Sequence, residues 1–76
     1  LVQLFPNPSS TYITITNDVA DIQRVELYSM MGERVYSEIP KTHSTTINTS
    51  LLANGIYLAR ITLNGVTSVK EFTIER

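Results

Sequence analysis

Hydrophobic and polar residues alternate along most of this chain. In residues 11–16, Ile13 and Ile15 fall on one side of an extended backbone, and the threonines fall on the other. Val25 and Leu27 repeat this two-residue period, and isoleucine, valine, threonine and tyrosine are the residue types that pleated strands favour. The pattern predicts an all-β domain with strands at 2–5, 11–16, 24–27, 34–37, 45–48, 55–63 and 66–74.

Turn residues separate the predicted strands where the alternation stops. Asn64-Gly65 predicts a two-residue hairpin, because both residues accept a positive φ, so the last two strands should pair antiparallel. Gly32 is expected in the left-handed position of a second hairpin at Ser29–Glu33. Residues 17–21 are polar, and we expect them to cross from one sheet to another.

Residues 48–55 do not fit a strand. Their polar start and paired leucines predict one turn of α- or 3₁₀-helix that ends at Gly55. Tyr57 then opens a strand, as in the tyrosine corner of immunoglobulin-like sandwiches, where a buried hydroxyl bonds to backbone a few residues upstream. We predict that role for Tyr57, with Ala59 and Ile61 also facing the core. The fold class predicted is an immunoglobulin-like antiparallel β-sandwich of about seven strands.

Length and charge restrict the class of function. The chain has 76 residues, so we expect a single domain over residues 1–76. Six basic and seven acidic side chains are scattered along it, which argues against nucleic acid as a partner and against a polybasic membrane anchor. No apolar stretch approaches the roughly 20 residues of a transmembrane helix, so no membrane insertion is expected. Because the chain begins in mid-pattern at Leu1, we expect it to be a fragment of a larger protein.

No group of residues in the sequence suggests catalysis or a cofactor. The chain has no cysteine and one histidine, His43, which lies in a predicted loop among hydroxyl side chains. Asp18 and Asp21 lack the remaining residues of a calcium-binding loop. Phosphate-binding glycine loops and nucleophile motifs do not occur in the sequence. We therefore expect that this domain is not an enzyme and has no cofactor or metal.

The stretch Pro6-Asn7-Pro8 interrupts the alternating pattern near the start of the chain. Each proline fixes φ, removes a backbone donor and pushes the residue before it toward an extended conformation. The stretch is expected to end the first strand, redirect the chain into the second and protect a sheet edge.

Four blocks of the chain together resemble one known family, the type A C-terminal sorting domain of type IX (Por) secretion in Bacteroidota. The blocks are LFPNPSSTYITI at 4–15, VELYSMMGERVY at 25–36, INTSLLANGIYLARI at 47–61 and VKEFTIER at 69–76. They stand in the order that the family shows and cover essentially the whole chain. The family-motif and recognition residues on this resemblance are Pro6, Asn7, Pro8, Gly32, Gly55, Tyr57, Lys70, Phe72, Ile74 and Arg76.

The resemblance implies a sorting signal, read in folded form, at the C-terminal end of an exported protein. Its partners would be type IX translocon components and a sortase-like protease in the periplasm or outer membrane. The cargo would pass through the periplasm, lose the domain by cleavage and reach the cell surface or the extracellular space. We expect a monomer, with a dimer that exchanges the first strand as the alternative.

Within such a domain, the last strand and its end, residues 66–76, form our candidate recognition element. A strand at a sheet edge can be read by the addition of a partner strand. Phe72 and Ile74 are expected in the core. The side chains expected at the surface are Lys70, Glu71, Glu75 and Arg76.

A binding module with the same fold is the alternative function. An immunoglobulin- or fibronectin-like domain of a surface protein would bind carbohydrate or protein through exposed aromatic side chains. Tyr12, Tyr28 and Tyr36 are the candidates, because strand alternation places each opposite its inward-facing aliphatic neighbours.

Overall fold

The computed structural model describes all residues from Leu1 to Arg76 as a sandwich of two antiparallel β-sheets. The three-stranded sheet has the order β1-β2-β5, and the four-stranded sheet has the order β4-β3-β6-β7. This architecture confirms the predicted fold class, and no helix in it has the length and apolar character needed to cross a membrane. The strands are β1 (Gln3–Phe5), β2 (Tyr12–Thr16), β3 (Ile22–Ser29), β4 (Arg34–Glu38), β5 (Ser44–Asn48), β6 (Gly55–Leu63) and β7 (Val66–Ile74).

The core lies between the two sheets and is formed by the inward-facing residues of alternate strand positions. Every residue predicted to face inward on β2, β3, β5, β6 and β7 is buried, and Val35 of β4 is half-buried against the same cluster. The buried hydrophobic cluster has 11 members: Ile13, Ile15, Ile22, Val25, Leu27, Ile47, Tyr57, Ala59, Ile61, Phe72 and Ile74.

Strand β3 is longer than its sequence pattern predicts, because a register shift interrupts the alternation. The pairing with β6 slips between Ile22 and Arg24, so Gln23 and Arg24 are both exposed between two buried residues. Two polar residues in succession look like a loop in the sequence. The structure instead continues the strand through this bulge to Ile22, which is fully buried.

A second register shift corrects the expected orientation of Tyr36. Leu27 pairs with Tyr36, and Tyr28 pairs with Arg34, so Val35 is the extra residue on β4. Tyr36 therefore lies on the same side as its buried partner Leu27, and it packs against the core cluster. Simple alternation predicted the opposite side, because it does not allow for the extra residue.

The hairpins and the sheet crossing form as predicted. Asn64 and Gly65 have φ values of 49° and 76°, and β6 pairs with β7 in unbroken register from this turn. Gly32 has a φ of 87° in the hairpin that joins β3 to β4. Residues 17–21 cross between the sheets, with the Asn17 side chain accepting two backbone hydrogen bonds of 2.9 Å.

Of the helical turn predicted within residues 48–55, the structure has a single hydrogen-bonded turn at residues 49–52. The Leu52 amide donates to the Thr49 carbonyl at 3.0 Å, which is the bond of one 3₁₀ turn, and no helix follows. Gly55 does not end a helix but begins β6. The chain needs this short turn because it must pass from β5 in one sheet to β6 in the other.

Candidate functional site

The N-terminal and C-terminal parts of the chain meet at one end of the sandwich. The Ser9 amide donates to the Thr73 carbonyl at 2.8 Å, and the Glu75 amide donates to the Ser9 carbonyl at 2.8 Å. The Asn7 side-chain oxygen accepts a bond of 3.0 Å from the Thr73 amide. We call this junction of residues 7–9 with residues 73–75 the terminal seam. It covers the last part of the outer edge of β7, which β6 leaves unpaired.

The Pro6-Asn7-Pro8 stretch explains the form of the seam. Proline has no backbone N–H, so neither proline leaves an unpaired donor beside the strand edge. Both X–Pro peptide bonds are cis. Asn7 uses its side chain, in place of a neighbouring backbone group, to bond to β7. Ser9 then makes the backbone contacts and is 1% exposed. The predicted protection of a sheet edge is therefore observed at the end of β7.

Arg76 is bonded to its own chain at this end of the sandwich. Its guanidinium donates to the carbonyls of Ser10 at 2.7 Å, of Thr49 at 3.2 Å and of Leu52. The Asn54 side chain also accepts a bond from the Arg76 amide and donates one to the Arg76 carbonyl. The residue is exposed, as predicted, but its charge faces three backbone acceptors. A planar guanidinium with five donors can hold acceptors from separate segments at once.

Tyr57 forms the predicted tyrosine corner beside Arg76. Its hydroxyl donates to the Ala53 carbonyl at 2.7 Å, and the residue is 7% exposed. Its ring stacks on Phe72 with a centroid separation of 5.7 Å. Gly55 pairs with Ile74 on the adjoining strands. The corner therefore joins the turn before β6 to the core anchors of β7.

Most of the family-motif residues gather at this end of the sandwich, and Lys70 does not. Gly32 lies at the same end, since Ser29 before it pairs with Tyr57. Lys70 lies at the middle of β7 opposite Ala59, on the core-facing side, and is half-buried. Its predicted exposure is wrong, because its even-numbered position places it on the same face as Phe72. Glu71 and Glu75 are exposed, as predicted.

Three residues that shape this end were not predicted from the sequence. Ser9, Thr49 and Asn54 supply backbone or side-chain partners to the last four residues of the chain. Thr49 is fully buried, and its hydroxyl has no hydrogen-bond partner. Their neighbours in space lie more than twenty residues away in sequence, so no local pattern marks them. The one available signal was their position in turns whose polar groups need partners.

The remaining candidate residues do not come together as a reactive site. His43 Nε2 lies 3.4 Å from a carboxylate oxygen of Asp21, with both side chains exposed, and no three acidic or histidine side chains are grouped as metal ligands. Tyr12 lies on the three-stranded sheet, whereas Tyr28 and Tyr36 lie on the other. The three tyrosines therefore do not form one aromatic platform for a sugar.

Tyr36 takes part in a polar contact between the two sheets. Its hydroxyl donates to one carboxylate oxygen of Glu38, and the Thr45 hydroxyl donates to the other at 2.6 Å. The bond to Glu38, together with burial and the negative charge of that carboxylate, raises the pKa of Tyr36 from 10.0 to about 12. Because β4 and β5 belong to different sheets, this contact closes one side of the sandwich.

The raised pKa of Tyr36 predicts a loss of stability at alkaline pH. Below pH 10.0 the phenol is protonated in both the folded and the unfolded chain, so the contribution is fully present. Between pH 10.0 and about 12 only the unfolded chain loses the proton, so the free energy of unfolding falls. Absorbance titration should show a tyrosine ionising near pH 12 that is absent from Tyr36→Phe and retained in Tyr12→Phe. Retention of that late transition in Tyr36→Phe would contradict the assignment.

Comparison with protein families gives one decisive match. The model of the secretion system C-terminal sorting domain matches residues 3–75. This chain belongs to that family. The match confirms the resemblance to type IX sorting domains, and the function of the chain is that of a C-terminal secretion and sorting signal.

A solved structure shares the fold of this sorting domain. PorZ of Porphyromonas gingivalis, an essential surface component of the type-IX secretion system, superposes with a TM-score of 0.77 at 19% identity. The alignment covers 99% of the sorting domain and 11% of the PorZ chain, so the similarity concerns one small part of that protein. A comparison with curated proteins gives no match.

Proposed function

We propose that this sorting domain is the C-terminal part of a longer exported protein and is read in its folded form by components of the type IX translocon. The cargo would precede Leu1. The observation that carries the proposal is the family match over residues 3–75, together with the gathering of the motif residues at one end of the sandwich. The domain acts as a sorting signal for its cargo and not as an enzyme.

The proposed route has three stages. The cargo crosses the inner membrane, and the folded domain directs it from the periplasm through the outer membrane. A sortase-like protease then removes the domain before Leu1, and the cargo is attached at the surface or released. We propose that the domain travels as a monomer, which is supported by the pairing of both its ends within one chain at the terminal seam.

The residues proposed for recognition have two structural roles. Tyr57, Phe72 and Ile74 hold the fold at the end of the sandwich that contains the terminal seam, because they are buried. Asn7 and Arg76 hold the terminal seam and the adjoining turn in place through hydrogen bonds. The seam therefore presents a fixed surface only when both ends of the chain are present.

A reporter fusion tests the proposal. A periplasmic reporter is joined in front of residue 1 and produced in a Bacteroidota cell with an active type IX system. We expect the reporter at the cell surface or in the medium, and at least tenfold less there when residues 72–76 are deleted. Deletion removes Phe72 and Ile74 from the core together with the charged end.

Two controls accompany the fusion. Glu75→Gln changes an exposed charge and keeps the core, so this variant should be exported like the parent. The parent fusion in a cell without a working type IX system should stay in the periplasm. Surface delivery in that cell, or of the shortened fusion, would overturn the proposed function.

A further inference from the structure

Strand β7 has a free edge that begins where the terminal seam ends. Thr73 and Glu75 direct backbone groups outward to residues 7–9, and β7 keeps an unbroken register with β6. Because backbone groups alternate in direction along an antiparallel strand, the N–H and C=O of Thr67, Val69 and Glu71 also point away from β6. We call these three residues the open edge.

Strand β7 is longer and more regular than the other edge strands of the molecule. β1 has three residues and is followed by Pro6, and β4 has five residues and a bulge. β5 also has five residues, whereas β7 has nine and contains no proline and no register shift. A long flat edge with unpaired backbone groups is a template for another strand unless it is blocked.

The seam shows that this same edge accepts an extended segment. Ser9 forms a parallel bridge with Ile74, so a stretch of non-strand backbone already bonds to the end of β7. The outward backbone groups of the open edge continue along the same strand without interruption. An extended polypeptide chain is therefore the partner whose hydrogen-bonding groups match those of the open edge.

A groove lies on the inner side of the open edge, between β7 and the start of the chain. It has a volume of about 530 Å³, and Val2, Leu63, Val66 and Ser68 contribute to its lining. Side chains of a strand added to β7 would alternate between this groove and the outer face of the sheet. The groove therefore fits an apolar side chain of such a strand.

Lys70 lines the same groove and supplies its charge. No salt bridge of the structure includes Lys70, so this half-buried residue has no carboxylate partner within the chain. An ammonium group is attracted by an opposite charge in contact with it. A carboxylate on the added strand would provide it.

We propose that the open edge of β7 binds an extended strand of a translocon protein by β-augmentation, with an apolar side chain in the groove and a carboxylate at Lys70. This inference rests on the proposed function, because a translocon component is the partner that function supplies. It assigns docking to the middle of β7. The terminal seam then has the role of keeping the strand in place.

A pair of proline variants tests the backbone contact. Val69→Pro removes an outward N–H and leaves the ladder to β6 intact, at a residue that is 60% exposed. Thr46→Pro is the matched control on the edge of β5. The backbone hydrogen bonds of Thr49 and Asn17 show that the odd-numbered residues of β5, and those just outside it, bond to β2. Thr46 has an even number, so its N–H faces away from β2. We expect Val69→Pro to lower reporter export at least tenfold and Thr46→Pro to lower it less than twofold.

A pair of charge variants tests the second contact and does not depend on proline being tolerated. Lys70→Glu should lower export at least fivefold, and Lys70→Arg should retain it, because arginine keeps the positive charge. Thermal unfolding of each purified domain measures whether the variants fold. Export of folded Val69→Pro and of folded Lys70→Glu at the parent level would overturn the inference.

Two further outcomes separate this inference from its alternatives. If the parent fusion itself is not exported, the proposed function fails, whereas export of the parent and of all four variants refutes the open edge alone. A second copy of this chain is the other candidate occupant. Dimers of the parent that Val69→Pro converts to monomers without a loss of export would assign the edge to self-association and overturn the proposal.

Discussion

Phe72→Ala is expected to remove a large part of the stability of this domain. The side chain is fully buried and stacks on Tyr57, and loss of a buried phenylalanine costs about 3–5 kcal/mol. A chain of this length has a free energy of unfolding of roughly 4–11 kcal/mol. The variant should therefore unfold at a clearly lower urea concentration than the parent, and less of its reporter fusion should be exported.

Urea denaturation of the purified domain measures this loss directly. Val69→Ala is the matched control on the same strand, because its side chain is 60% exposed and its truncation should change stability by less than about 0.5 kcal/mol. Phe72→Leu keeps most of the buried volume and should lie between the two. A loss below about 1 kcal/mol for Phe72→Ala would mean that β7 is not anchored in the core as described.

Arg76→Ala is expected to loosen the end of the sandwich that contains the terminal seam, while leaving the core packed. The guanidinium bonds to carbonyls from two separate parts of the chain, the segment before β2 and the turn before β6. Hydrogen bonds from a charged group are stronger than neutral ones, but this residue is exposed, so we expect a loss of about 1–2 kcal/mol. Amide hydrogen exchange should rise at residues 73–75 and in the turn before Gly55, and remain unchanged at Val25.

Arg76→Lys distinguishes a structural role from direct reading of the charge. A lysine ammonium is a compact charge and cannot reproduce the planar fork that reaches three acceptors. If Arg76 acts by holding the end together, the lysine variant should exchange nearly as fast as Arg76→Ala and lose a similar share of export. Full export of Arg76→Lys together with fast exchange would show that the positive charge itself is recognised.

The fold was predictable from the sequence wherever alternation is uninterrupted. β6 and β7 were located to the residue, because Asn64-Gly65 marks their junction and no register shift interrupts their pairing. Each of the two register shifts on β3 misled the pattern. One shift concealed that Ile22 belongs to the strand, and the other made the predicted side of Tyr36 wrong. An added residue moves every following side chain to the opposite face of the sheet.

The end of the sandwich that contains the terminal seam was predictable only in part. The tyrosine corner has a local pattern, a glycine and then a tyrosine at the start of a strand, so Tyr57 could be assigned. The bond from Arg76 to the Ser10 carbonyl joins residues that are 66 positions apart, and no short window of sequence contains both. Lys70 was placed on the wrong side because its charge was given more weight than its position in the strand.

The terminal seam also determines when the domain can complete its folding during synthesis. Residues 7–9 leave the ribosome early, but their partners at 73–75 are among the last of this stretch to be synthesised. A translation product that stops before Phe72 lacks both the core side chains of β7 and the bonds of the seam. Such a product can form neither the complete core nor the terminal seam, so the domain completes its fold only after its last residues have been synthesised.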